Sequence, residues 1–232
     1  MTIQSQLKEL ADLAHKTCLS EGTQVWNAME KAGHLHLRWN THLRANHLTG
    51  TADSLLIGAG AAAREAAACV SLGLVRPALN SLRAQIDLNM AWLYFKDHPI
   101  EWKFIQATGD NFKLKKDLLE YFRIWSPSFG QRWGILTERS TRPPPDPYRI
   151  LSAHMHGQSE HVIPVVEKPA DLVAPASLRT DAVTLQEACS EYISDLFWCL
   201  FADEYQSIPT DLQEALVQRF KNARQRATFF KR

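Results

Sequence analysis

The stretch PALNSLRAQIDLNMAWLYFKD, residues 77–97, puts apolar side chains at Leu79, Leu82, Ile86, Met90, Leu93 and Tyr94. Steps of three and four residues are the repeat of one face of an α-helix, whereas a half-buried strand would alternate every second residue. Pro77 fits this reading, because a proline in a first helical turn loses no hydrogen bond. The same periodicity extends in both directions along the chain. Upstream, Thr51 caps an alanine-rich helix that runs to about Leu72 and breaks at Gly73. Before it lie a helix from Thr23 to about His47 and a first helix with Ile3, Leu7, Leu10 and Ala14 on one stripe, ending near Gly22. Downstream, Pro99 opens a helix reaching Trp125, with Gly109 as its one point of interruption.

From Ser126 to Pro147 the character changes. Pro127, Gly130, Gly134 and the run Pro143-Pro144-Pro145 cannot all sit inside one regular helix. This segment reads as a long loop. A short helix then covers Tyr148 to His156 and stops at Gly157. An irregular stretch with Pro164, Pro169 and Pro175 follows, and its strand-like residues Val162 to Val166 are interrupted by Pro164. Thr180 is placed to cap a long helix to about Gln206, and Thr210 to cap a last one. The expected fold is therefore all-α. It is a bundle of about six to eight helices, with a long Pro/Gly-rich loop before a short motif-bearing helix. Residues 1–218 read as one helical domain and 219–232 as a basic C-terminal tail.

Bulk properties narrow the function classes. The 232 residues are 45% hydrophobic and 22% charged, which is the composition of a folded globular chain. The net charge of +1 gives no global attraction to nucleic acid or membrane, but Arg219, Lys221, Arg224 and Arg226 form an acid-free run that can touch phosphates. The alternative is a solvated terminus. Cys18, Cys69, Cys189 and Cys199 make no Cys-x-x-Cys pair, and the last two lie in apolar helical surroundings, as reduced core residues do. The first residues, MTIQSQLKELADLAHK, are polar and amphipathic rather than a signal core, and no stretch has the roughly 20 apolar residues of a membrane span. A cytoplasmic protein without membrane partners is expected.

Chemistry concentrates in Tyr148-Arg149-Ile150-Leu151-Ser152-Ala153-His154-Met155-His156-Gly157. On a helix, seven residues bring Arg149 and His156 within about 20° of each other, since each residue turns 100°. Ser152 is three after one and four before the other, so the three share a stripe. His154 points about 140° away from Arg149. Histidine moves protons near neutral pH, and arginine stabilises charge on a phosphate. Together they suit cleavage of RNA, whose own 2′-hydroxyl supplies the nucleophile.

Arg149-x4-His154 and Arg149-x6-His156, in a helical chain after an irregular loop, resemble the Arg-x(4–6)-His motif of the HEPN superfamily. A looser likeness covers Gly73 to Asp97. There Gly73-Leu74-Val75-Arg76-Pro77-Ala78, then Arg83 and Asp87, then Ala91-Trp92-Leu93-Tyr94-Phe95 is similar to the early helices of abortive-infection-like relatives. The resemblance spans Thr51 to Gly157. It implies a helical bundle, often homodimeric, and in many members a metal-independent ribonuclease of toxin–antitoxin, abortive-infection or other defence systems. It implies catalytic roles for Arg149 and His156, with Ser152 or His154 assisting and Arg83 and Asp87 supporting the stripe. RNA and a cognate antitoxin or defence partner are the implied partners. Ile150 departs from the commonest pattern, which has a polar group after the arginine. The rival expectation is a non-catalytic interaction module on the same fold. A small-ligand-binding bundle is a third, and would need a cavity.

Other features have plainer readings beside the functional one. Arg83 and Asp87 are four apart and can form an intrahelical pair, as can the polar interruption Arg64-Glu65. Ala59-Gly60-Ala61-Ala62-Ala63 suits close approach of a helix, and Gly58-x-Gly60 lacks both the strand and the third glycine of a dinucleotide loop. His34-x-His36 and His154-x-His156 place their members about 200° apart on a helix, which argues against chelation. No metal or cofactor is expected. Trp125 and Trp133, flanking the irregular loop, are candidates for core packing or for a stacking surface.

Overall fold

In the computed structural model, residues 2–138, 146–163 and 165–231 are described, and no strand occurs among them. The chain runs through α1 (Ile3–Thr17), a π-helical turn over Cys18–Gly22, α2 (Thr23–Ala32), α3 (His34–Asn46), α4 (Asp53–Ser71) and α5 (Val75–Phe95). It continues with α6 (Pro99–Thr108), α7 (Lys115–Trp125), α8 (Phe129–Thr137) and α9 (Pro147–His156). After 3-10 turns at Glu160–Val162 and Pro169–Leu172 come α10 (Ala176–Phe201), another 3-10 stretch over Ala202–Ser207, α11 (Thr210–Val217) and α12 (Ala223–Phe229).

The fold is all-α as expected, but cut into more helices than six to eight, and local chemistry accounts for the cuts. Gly33 divides the helix expected from Thr23 to His47. Gly109, at a φ of 75°, ends α6 and separates it from α7. Part of the expected loop is helical. In α8 the buried residues Phe129, Arg132 and Leu136 recur with helical spacing and hold the turn, although Gly130 and Gly134 lie within it. Each glycine weakens a helix by about 1 kcal/mol. Three buried anchors outweigh that. The Pro143–Pro145 run lies outside the described residues.

The helix starts also differ from the threonine caps expected. α4 begins at Asp53, whose carboxylate accepts the N–H groups of Thr49 and Gly50 (3.3 and 2.8 Å). The Thr180 hydroxyl donates to Ala176 O inside α10, which starts directly after Pro175. Pro209 occupies the cap position of α11, and Thr210 is its first residue.

The chain divides into two compact units. The first comprises residues 1–34, 60–86 and 144–190. Its core includes Ala62, Ala66, Val70, Ala78, Leu82, Ile86 and Leu151, so the alanine-rich face of α4 is buried there. Gln85 and Gln186 exchange two amide hydrogen bonds of 2.9 Å inside it. Gly73 turns between α4 and α5 at a φ of 81°, and a Cβ there would come within 2.7 Å of Val173. Lys168 pairs with Glu9 and Arg179 with Glu21, both at 2.6 Å.

The second unit comprises residues 35–59, 87–143 and 191–232, and its core is aromatic. Trp39 is fully buried against Phe197 and Trp198, and its indole N–H donates to Ser194 Oγ at 3.1 Å. Arg132 is buried and donates to Phe229 O, Cys199 O and Asp203 Oδ1. Among the described residues, no helix is long and apolar enough to cross a membrane. Cys189 and Cys199 are buried free thiols whose pKa values burial drives upward.

Candidate functional site

In the first unit, α9 carries Arg149, Ser152, His154 and His156. Its ends are fixed by its own residues. The Asp146 carboxylate accepts the Tyr148 N–H at 3.1 Å, and Pro147 fills the first turn without losing a bond. Gly157 closes the other end in the left-handed conformation, its N–H returning to Ala153 O. Leu151 is fully buried and anchors the inner face.

Residues 147–156 are helical and turn by about 100° per residue. Arg149, Ser152 and His156 lie on one stripe, and Arg149 and His156 are both exposed. Ser152 is half-buried and held from behind. Arg83 of α5 donates from Nη1 to Ser152 Oγ at 2.5 Å and from Nη2 to the Tyr148 hydroxyl. Its guanidinium carbon lies 3.5 Å from the Tyr148 ring centroid, a cation–π stack. Tyr148 and Ser152 are one turn apart, so a single guanidinium clasps a whole turn of α9. Asp87, one turn beyond Arg83 on α5, belongs to the second unit and is half-buried.

His154 occupies a different side of α9. It is half-buried, and burial, then the nearby charge of Arg76, lowers its pKa below the usual imidazole value. A neutral His154 at pH 7 follows.

The acid-free C-terminal run divides in two. Arg219 is buried, with Nη2 donating to Asp195 at 2.7 Å and Nη1 3.7 Å from Glu191, so its charge is met inside the second unit. Lys221 is exposed and bonds Glu138 O at 3.0 Å. Arg224 and Arg226 stand exposed on α12, which Asn222 caps and fully buried Phe229 anchors. Residues 219–229 thus have defined places in the second unit, with two arginines turned outward.

The histidine pairs separate as helical geometry requires. His36 is fully buried and hydrogen-bonded to Asn89 at 2.9 Å, while His34 is exposed. Trp133 is half-buried, stacked on Phe129 and edge-on to Tyr192, whereas Trp125 is 72% exposed. Two features escaped the sequence reading: the clasp of Arg83 on Tyr148, and the inward arginines Arg132 and Arg219. The four-residue spacing of Tyr148 and Ser152 signals the first. Nothing local to Arg132 or Arg219 distinguishes them from surface arginines.

No family model, no curated protein and no solved structure matches this chain.

Proposed function

We propose that the chain is a HEPN-like RNA-directed protein of a bacterial-type defence or toxin system, acting as a homodimer, with α9 as its metal-independent ribonuclease motif. One observation carries the reading: Arg149 and His156 are exposed together on one stripe of a capped helix whose inner turn is clasped by Arg83.

In this reading the RNA 2′-hydroxyl attacks the adjacent phosphorus and the 5′-oxygen leaves, giving a 2′,3′-cyclic phosphate. His156 takes up the hydroxyl proton or supplies one to the leaving oxygen, and Arg149 stabilises the phosphorane. Ser152, fixed by Arg83, keeps the stripe in register. His154, on another side, is the weaker candidate. Arg224 and Arg226 supply phosphate contacts, while Arg219 is committed to Asp195. The test is cleavage of a fluorescent mixed-sequence RNA with EDTA present, comparing wild type with Arg149→Ala and His156→Ala. Cleavage lost in both variants is the expected result. A folded wild-type protein that cuts nothing, or variants that cut as well as it does, sinks the catalytic reading.

The second reading, a non-catalytic interaction module, is favoured by apolar side chains facing solvent on α6 and α7, notably Ile100 (84% exposed) and Trp125. It predicts a partner-binding defect in Trp125→Ala and no RNA cleavage.

A further inference from the structure

Two helices of the second unit, α6 and α7, are joined along their length and turn apolar side chains outward. Glu101 of α6 faces Lys113 at 3.5 Å, and His98, at the cap of α6, meets the Tyr121 ring of α7 edge-on at 5.2 Å. Ile105, Leu118 and Phe122 are buried and seat the pair. Ile100, Phe104, Phe112, Leu114, Ile124 and Trp125 are left between 44% and 84% exposed. Ile100 and Phe104 share one open groove with Asn111 and Lys113. At about 200 Å² for a whole side chain of this size, the six leave roughly 750 Å² of surface in water. The largest apolar patch of an ordinary monomer is about 300–600 Å². A standard protein interface takes about 800 Å² from each partner.

The helix starts point the same way. Leu114 occupies the N-cap of α7 in an extended conformation and makes no side-chain bond to the helix. Serine, threonine, aspartate or asparagine would satisfy an orphan N–H there, whereas leucine satisfies none. Ile100 stands in the first turn of α6, where an acid would meet the helix dipole. Neither residue improves its own helix, and neither reaches the core. Side chains that break a local rule without a gain inside the chain belong where a surface meets a partner.

Charge selects the partner. The exposed charged residues from 100 to 125 are Lys103, Lys116 and Arg123 against Asp110, Asp117 and Glu120, three of each sign. Nucleic acids and anionic membrane surfaces are held by a surplus of cations, which this face does not have. A second copy of the chain brings an equal apolar area with the same balanced charges, so the two faces match in size and do not repel.

We propose that α6 and α7 form a self-complementary interface with a second copy of this chain, the two related by a two-fold axis. This face serves the homodimer of the proposed function, but it requires neither RNA nor the chemistry of α9.

Sedimentation velocity of the full chain from about 1 to 100 μM is expected to show a dimer with Kd of about 1 μM or tighter, the weak end for an interface of this size. Ile100→Asp and Leu114→Asp each remove apolar surface while placing an acid where a helix start favours one. Each change occurs twice across a two-fold axis, and each is expected to weaken association at least tenfold while circular dichroism stays that of the wild type. Val165→Asp, equally open at 84% but in the first unit, leaves the dimer intact. A dimer broken by both acids in a chain that cuts no RNA supports this face and sinks the ribonuclease reading. A wild-type chain that stays monomeric throughout that range overturns the proposal, and the homodimer of the proposed function with it. A dimer that survives both acids, or that Val165→Asp breaks, overturns this face alone.

Discussion

Replacing Arg132 by alanine is the sharpest test of how the second unit is held. The side chain is 2% exposed and donates to three acceptors, Phe229 O at 3.2 Å, Cys199 O at 3.1 Å and Asp203 Oδ1 at 2.6 Å. These losses are unequal. Asp203 is half-exposed and regains water when the arginine leaves, so its share is that of a surface pair, about 0–1 kcal/mol. The two carbonyls are each left without this donor, at about 1–3 kcal/mol apiece. The sum is about 2–7 kcal/mol, with the lost stem contributing further through the space it leaves. The assay is equilibrium urea unfolding followed by circular dichroism and tryptophan fluorescence, with exposed Arg123→Ala as a charge-matched control expected within about 0.5 kcal/mol of wild type. Because Phe229 O is one of the acceptors, amide exchange over Ala223–Phe229 should rise in Arg132→Ala before global unfolding. A stability loss below about 1 kcal/mol would refute the assignment of Arg132 as a structural hub.

Two further outcomes follow from the same structure. His42 is buried, and that burial, helped by the neighbouring His47 and Arg38 and opposed by Glu204, lowers its pKa below the ordinary 6.5. The unfolded chain then binds more protons below pH 6.5, so His42-linked stability is full above that value and falls as pH drops towards the folded pKa. His42→Gln should flatten the stability profile between about pH 7 and 5, and an unchanged slope in urea titrations would remove His42 as the cause. Arg83→Ala should cost about 1–2 kcal/mol after allowance for partial exposure and raise amide exchange at residues 148–152, whereas unchanged protection there would show that Leu151 alone seats α9.

Helical class was legible because periodicity is local: Leu82, Ile86 and Met90, read as one face of α5, are all fully buried. Glycines at 109 and 157 also announced their helix ends, since both adopt the left-handed conformation that glycine takes most readily. The α8 segment misled for the opposite reason. Its glycines and flanking prolines are local signals, while the burial of Phe129 and Leu136 that overrides them is tertiary. At the site, the common stripe of Arg149, Ser152 and His156 follows from spacing once residues 147–156 are helical. The Arg83 clasp joins positions 69 and 65 residues apart, which periodicity does not relate. Arg219 shows the same limit. In the sequence it belongs to a basic run, and only the fold brings Asp195 beneath it.

The anchoring of α12 by Phe229 has a consequence for any polyanion that meets the C-terminal stretch. Arg224 and Arg226 are two residues apart on a helix, so their side chains diverge by about 200° and cannot grip one phosphate together. A helix already seated on its own unit also loses little backbone entropy on contact, unlike a coil that must order first. Attraction to a nucleic acid through this surface would then come as single, separate charges. Each neutralised phosphate adds only about one to the salt-dependence exponent.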